Sequence, residues 1–255
     1  MISGEMTFDP RPQIVILEIG RTQGSGGIIG TAGERYPMSL VAFDFDETLS
    51  RSDLSILLGR EYDVAGEIRG LVEQGLRDEV DFETTLRQRV SLLEGMPERR
   101  VQTAFERCTL REGAAELLTD LRRSGVRVAI VTGSFERGVE TALDRAGVAV
   151  DHVVANRLVL ENGALTGDVD GPLLDGRKDA ALVELAAAEG IDVGQTIAVG
   201  NGATDLPMLR RAGTAVGFSP NPIVEDHCDV VVTSMRKLRL YFEQHGIVDS
   251  GESGG

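Results

Sequence analysis

Lysine is almost missing from this chain of 255 residues: it occurs only at Lys178 and Lys237, and arginine supplies nearly all the positive charge. Positive charge is itself scarce. The formal net charge is -15, which repels phosphate backbones and excludes nucleic acid as a partner. Lysine scarcity together with acid excess points to a protein kept soluble at high salt. Cysteine is also rare: Cys108 and Cys228 stand alone, with no CxxC pair and no histidine at ligand spacing. Neither a disulfide framework nor a zinc site is expected, and both thiols are read as free and buried. No uncharged apolar run approaches the ~20 residues that cross a bilayer. The short run IVILEIG (14–20) has no basic leader, which argues against a signal peptide. These absences leave a cytoplasmic globular protein with no membrane partner, long enough for one large domain or a core with a smaller insertion.

Residues 1–37 differ from the rest, with glycine crowding GRTQGSGGIIGTAG (20–33). The strand-like IVILEI followed by Gly24, Gly26 and Gly30 resembles a dinucleotide fingerprint only superficially. Such a turn must open a helix, and Gly33 and Pro37 stop one within two turns. The segment is therefore expected to be a disordered or artefactual extension, with Met38 opening the folded part. From Ser39 onward, short apolar runs alternate with helical spacing: SLVAFDF, VRVAIVTG, TIAVG, TAVGF and DVVVTS as strands, and REGAAELLTDLRRSG, FERGVETALDRAG, KDAALVELAAAEG and LPMLRRAG as helices. Asn162-Gly163 between alternating segments predicts a β-hairpin. Repeated βα units predict an α/β fold with a doubly wound parallel sheet, whose ligand site lies at the carboxyl ends of its strands. Residues 53–107 show helical spacing without a strand, as a helical insertion would. The expected organisation is an α/β core over 38–52 and 108–245, a helical cap over 53–107, and a flexible tail over 246–255. His152, His227 and His245 read as ordinary polar or helix-end residues.

Three strand ends then share one crevice: Asp44 to Thr48, Thr132 to Ser134, and Gly200 to Asp205. Residues i and i+2 of an extended chain share a face, so Asp44 and Asp46 can point into it together. Neighbouring carboxylates push their pKa values apart, leaving one suited to attack and one to proton transfer. The plainer alternative for a pair of acids after a strand is a solvated loop or a helix cap. Lys178 at the start of a helix runs against the helix dipole. As a compact ammonium it can reach both a carboxylate and a phosphate, or it can be a surface lysine.

Taken together, DFDETLS, VTGSF, Lys178 and GNGATD resemble, in order, the four motifs of the haloacid dehalogenase superfamily of aspartate-nucleophile phosphatases. Within it, DFETTLRQRVSLLEG and ANRLVLENGALTGDVDG resemble the cap and hairpin of its phosphoserine phosphatase-like subgroup. The resemblance covers nearly all of residues 38–242. It implies that Asp44 attacks phosphorus to form an aspartyl-phosphate, that Asp46 first donates and then takes a proton, and that Thr132, the Gly133 N–H and Lys178 cradle the phosphoryl oxygens. It implies a magnesium ion (Mg2+) held by Asp44, the Asp46 carbonyl, and Asn201 and Asp205 of the last motif. For the substrate phosphoserine, it implies Asp53 on the ammonium, Arg89 on the carboxylate, Phe82 closing the pocket and Thr204 near the phosphate. Each cap residue also has an ordinary reading: Asp53 as an N-cap, Arg89 as a solvated helix residue, Phe82 as core.

The chain departs from the pattern at four points. Asn201 replaces a usual aspartate and Thr204 a usual asparagine, Asp53 is one methylene shorter than the usual glutamate, and Glu47 replaces a small residue. Asn201 still offers a carbonyl oxygen but removes one negative charge. Two alternatives to phosphoserine hydrolysis follow: the same chemistry or phosphotransfer on another small ester, and a weakly active or inactive metabolite-binding paralogue.

Overall fold

The computed structural model describes residues 39–76 and 81–249. The glycine-rich segment and its fingerprint-like glycines lie outside the described residues, as do 250–255. The chain runs β1 (Leu40–Phe43), α1 (Leu54–Glu61), α2 (Ala65–Leu76), α3 (Phe82–Ser91), α4 (Glu98–Glu106), α5 (Ala114–Arg123), β2 (Arg127–Phe135), α6 (Glu136–Ala146), β3 (His152–Glu161) and β4 (Ala164–Asp170). It continues with α7 (Lys178–Ala188), β5 (Thr196–Gly200), α8 (Leu206–Arg211), β6 (Thr214–Phe218), α9 (Pro222–Glu225), β7 (Val230–Val232) and α10 (Met235–Gln244).

Because β1 is apolar at every position it can sit in the middle of a sheet covered on both faces. The sheet order is β4-β3-β2-β1-β5-β6-β7. All neighbours pair in parallel except β3 with β4. The expected doubly wound sheet is thus the observed one. Alternation along β1 sorts its side chains: Val41 and Phe43 enter the larger core with α5, α6 and α10, while Leu40 and Ala42 meet Leu182 and Leu185 of α7 and Leu209 of α8. Fully burying a side chain of this size contributes roughly 1.5–3 kcal/mol. The hairpin turns at Asn162 (φ 51°) and Gly163 (φ 80°), the left-handed pair that a two-residue turn requires.

The described residues of 54–106 hold four helices and no named strand. Their apolar faces, including Leu57, Ile68, Leu86, Val90 and Phe105, belong to the same core as Phe135 and Val139 of the sheet layer. The α3–α4 connection is tied to the hairpin by backbone bonds: Gly95 N–H to the Leu165 carbonyl (2.8 Å), Leu165 N–H to Met96 (3.0 Å) and Glu98 N–H to Gly163 (2.9 Å).

Several expectations need correction. Helix α10 was not expected from the sequence; Ser234 caps it, and Met235, Leu238 and Phe242 bury one face at helical spacing. Within the stretch expected as a tail, Val248 is 3% exposed and packs in the main core. Cys108 is buried, but Cys228 is half-buried, beside the short edge strand β7. His152 is a buried residue held by Glu189 at 2.6 Å, not an ordinary polar one. Among the described residues no helix is long and apolar enough to cross a membrane.

Candidate active site

At the carboxyl end of β1 the chain stays extended for one more residue: Asp44 (φ -68°, ψ 160°) donates its N–H to the Val199 carbonyl of β5 at 2.8 Å. It then turns sharply through Phe45–Leu49, closed by Ser50 N–H to the Phe45 carbonyl (2.9 Å), with Glu47 at φ 59°. This turn brings Asp44 and Asp46 to the wall of one cavity of about 130 Å³. That volume is small beside drug-sized pockets and suits a ligand of few non-hydrogen atoms. Thr132, Gly133 and Ser134 from the end of β2, Asn201 and Thr204 after β5, Lys178 from α7, and Asp53, Phe82 and Arg89 from the helical segment complete the wall.

Lys178 lies at the floor, 2% exposed, so the surface-lysine alternative fails. Its Nζ donates to Asp44 Oδ1 and Asp205 Oδ1, both at 2.6 Å. Burial alone would lower the lysine's pKa; the Asp205 and Asp44 charges overcome this and hold it above the ordinary lysine value. Burial, with the Asp205 charge added, pushes the Asp44 carboxyl up to about 6 against the pull of Lys178. The Asp46 carboxyl is raised well above the usual range by burial, then by Asp53 and Asp44, although the Ser134 hydroxyl and the Leu54 N–H favour its ionised form. A buried acid that keeps its proton can donate it.

Asp205 does not line the cavity. One oxygen takes Lys178, and the other accepts the N–H groups of Asn201 (2.8 Å) and Gly202 (2.9 Å). It braces the lysine and shapes the loop. Gly200 makes this possible, because a Cβ there would lie 2.6 Å from the Asp205 side chain. Asn201 Oδ1 accepts from Thr48 Oγ1 at 3.1 Å, joining the first and last motifs.

The second motif is shaped by residues that sequence reasoning missed. Asn156, fully buried on β3, donates Nδ2 to the Gly133 carbonyl (2.9 Å) and accepts the Leu173 N–H on Oδ1 (2.9 Å). The Phe82 ring covers Gly133 so closely that a Cβ there would lie 2.4 Å from the ring tip. In the helical segment, Asp53 has the capping role of its ordinary reading, accepting the Ile56 N–H of α1 (3.1 Å), and also reaches the cavity. Arg89 is 7% exposed, which overturns the solvated-helix alternative. It donates to the Thr85 carbonyl (3.2 Å) and Ser55 Oγ (3.4 Å), lies 3.8 Å from Asp53, and sits 5.7 Å from the Phe82 ring centre. Burial lowers its pKa, opposed by the Asp53 and Asp46 charges. Ser134 lies inside the VTGSF motif and Asn156 inside the hairpin segment, but neither was given a role of its own; Ser55 had no motif to reveal it.

Among the described residues no cluster of three His, Cys, Asp or Glu side chains is ready for a metal. The donors on this wall are the Asp44 carboxylate, the Asp46 carbonyl and the Asn201 amide oxygen. All are hard oxygens, of the kind magnesium takes alongside retained waters. The cavity also gathers more acid than base: Asp44, Asp46, Glu47 and Asp53 face Lys178 and Arg89. The residues present therefore fit a divalent cation.

A carboxylate, a second buried acid whose pKa is raised and an ammonium at converging strand ends define an aspartate-based hydrolase. The sequence profile of haloacid dehalogenase-like hydrolases matches residues 41–210, and the chain belongs to that family. It is 45% identical over 210 residues to the phosphoserine phosphatase of Halobacterium salinarum, covering 82% of this chain and all of that one. To the phosphoserine phosphatase of Methanocaldococcus jannaschii it is 37% identical, covering 80% and 97%. Two solved structures, a phospho-aspartyl intermediate analogue of phosphoserine phosphatase and a substrate-bound phosphoserine phosphatase complex, each superpose with a TM-score of 0.76 at 34% identity, over 81% of this chain and 99% of the other.

Proposed function

We propose that the protein hydrolyses O-phosphoserine to serine and phosphate through an aspartyl-phosphate on Asp44, with magnesium as the cation. The observation that carries the reading is the 2.6 Å bridge from Lys178 to Asp44, in a cavity that Asp53 and Arg89 also line. One end has the charge pattern of a phosphate site and the other that of an amino-acid zwitterion.

In the first half-reaction an Asp44 oxygen forms a bond to phosphorus while the bond from phosphorus to the serine oxygen breaks, and Asp46 delivers its proton to that oxygen. In the second, Asp46 takes a proton from water as the water oxygen attacks phosphorus, releasing phosphate and restoring Asp44. Thr132, the Gly133 N–H and Lys178 hold the phosphoryl oxygens, with Thr204 beside them. Asp53 meets the ammonium, Arg89 the carboxylate, and Phe82 excludes water. Asp44, the Asp46 carbonyl and Asn201 would hold a magnesium ion, which would supply charge neutralisation between carboxylate and phosphate.

The reading extends to a cytoplasmic enzyme of serine biosynthesis that works at high salt, supported by the net charge of -15 and the 45% identity to the Halobacterium salinarum relative. The test is steady-state phosphate release from phosphoserine and a panel of other phosphomonoesters, with and without magnesium, at low and high salt. Magnesium-dependent turnover that favours phosphoserine is expected. Activity on unrelated esters alone would retire the substrate. Negligible wild-type turnover with a large gain from Asn201→Asp and Thr204→Asn together would point instead to a metabolite-binding paralogue.

A further inference from the structure

Within the turn that carries Asp46, Glu47 adopts φ 59°, a left-handed backbone that glycine enters freely and residues with a Cβ do not. No glycine is present there to relieve it. Sixty-four residues further along the chain, Arg111 reaches back to this turn. Its Nη2 donates to the Glu47 carbonyl at 2.7 Å and its Nε to the Thr48 carbonyl at 3.1 Å. Its backbone N–H donates to the Leu49 carbonyl at 2.8 Å. One residue thus binds three consecutive carbonyls, with its guanidinium carbon held 5.2 Å from the centre of the Phe218 ring. Arg111 does not line the cavity. The turn it grips has Asp46 immediately before Glu47 and Thr48 after it, and Thr48 passes a hydrogen bond to Asn201 at 3.1 Å.

We propose that Arg111 is a positioning residue whose guanidinium stabilises Glu47 in its left-handed conformation and thereby keeps Asp46 aimed into the cavity and Thr48 turned to Asn201. The planar fork matters, because two N–H groups at fixed spacing match two successive carbonyls, which a single ammonium cannot. The inference rests on the reading of Asp46 as the proton donor. It predicts that Arg111 is needed because residue 47 has a side chain, so its effect depends on what stands there.

The experiment compares the wild type with Arg111→Ala, Arg111→Lys, Glu47→Gly and the Glu47→Gly/Arg111→Ala pair. It measures kcat and KM on phosphoserine and on p-nitrophenyl phosphate, together with thermal midpoints. Arg111→Ala is expected to lower kcat by about 10- to 100-fold on both esters with KM changed less than about threefold, the range for losing hydrogen bonds from a charged donor. Arg111→Lys should fall between, and millimolar methylguanidinium should restore part of the lost rate of Arg111→Ala. In the Glu47→Gly background the same substitution should cost less than about threefold, a coupling that a double-mutant cycle reads directly. Equal losses in both backgrounds overturn the proposal, as does a kcat for Arg111→Ala within twofold of wild type. If Arg111→Ala does not fold, a folded and active double variant supports the proposal and an unfolded one overturns it. A wild type active only on the aryl ester retires the phosphoserine reading while the comparison proceeds on that ester. A wild type active on neither leaves the thermal midpoints to decide: a smaller loss beside Gly at position 47 supports the clamp, and an equal loss overturns it.

Discussion

The two ends of the cavity are held in different ways. At the floor, Asp44, Lys178 and Asp205 come from three separate chain segments, meet at 2.6 Å and are almost wholly out of water. Opposite, Arg89 approaches Asp53 only to 3.8 Å and Ser55 to 3.4 Å, and Phe82 leans over Gly133. The floor is complete without a ligand, its charges already opposed. The helical wall holds a buried guanidinium whose best contact is a backbone carbonyl at 3.2 Å, leaving donors for a carboxylate to fill. Catalytic groups gain from being fixed before the substrate arrives, whereas a selecting wall gains from partners that only the right substrate supplies.

The largest expected effect breaks the floor. Asp44→Asn removes the nucleophile at nearly constant volume, and phosphate release should fall below detection. Its thermal midpoint should match or exceed that of the wild type, because a neutral amide ends the repulsion from Asp205. Retained turnover would mean that no covalent step passes through residue 44.

Lys178→Met comes next: it leaves two buried carboxylates without their counter-charge, with a loss of about 3–5 kcal/mol near neutral pH. Denaturant unfolding at pH 7.5 and pH 5 should show a smaller loss at the lower pH, where Asp44 takes up a proton.

On the wall, Arg89→Ala should raise KM for phosphoserine by about 10- to 100-fold, from a lost charge-assisted contact. It should leave kcat/KM for p-nitrophenyl phosphate nearly unchanged. Equal damage to both substrates would erase the distinction between floor and wall.

The smallest effect is on the wild type itself. The Asp44 carboxyl is raised from 3.8 to about 6, so between those pH values the folded form binds more protons than the unfolded one. Stability from this group is therefore present at low pH and lost as pH rises through about 6. Without cation, the melting midpoint should drift down across that window. Magnesium should raise it more at pH 7.5 than at pH 5, and a cation effect independent of pH would argue against Asp44 as a ligand.

Much of the floor was readable from local patterns, since a candidate group at a strand end follows an apolar run and repeated βα units imply a parallel sheet with its crevice at the carboxyl ends of the strands. The hairpin was readable for a similar reason, because Asn162 and Gly163 are chemically suited to their left-handed angles. Helix α10 escaped because its three buried residues are separated by arginines, a lysine and a tyrosine, and only the underlying core shows which face is apolar. Asn156 and Arg111 escaped for another reason. The partners of Asn156 lie 17 and 23 residues away and those of the Arg111 side chain 63 and 64, and nothing in their own neighbourhoods marks a side chain that serves a distant backbone. Asp205 shows the converse limit: the residue stood out in its loop, but nothing local showed how its oxygens divide between Lys178 and two N–H groups.

The sequence by itself determined the order of strands and helices, the place of the crevice and the kinds of groups brought to it, because periodicity and turn chemistry act over a few neighbouring residues. Only the tertiary structure decided how those groups divide their hydrogen bonds and charges, which acid keeps its proton, and which arginine is buried. Burial and pairing are set by atoms that meet from distant parts of the chain, and in a low-dielectric cavity those meetings outweigh a residue's intrinsic chemistry.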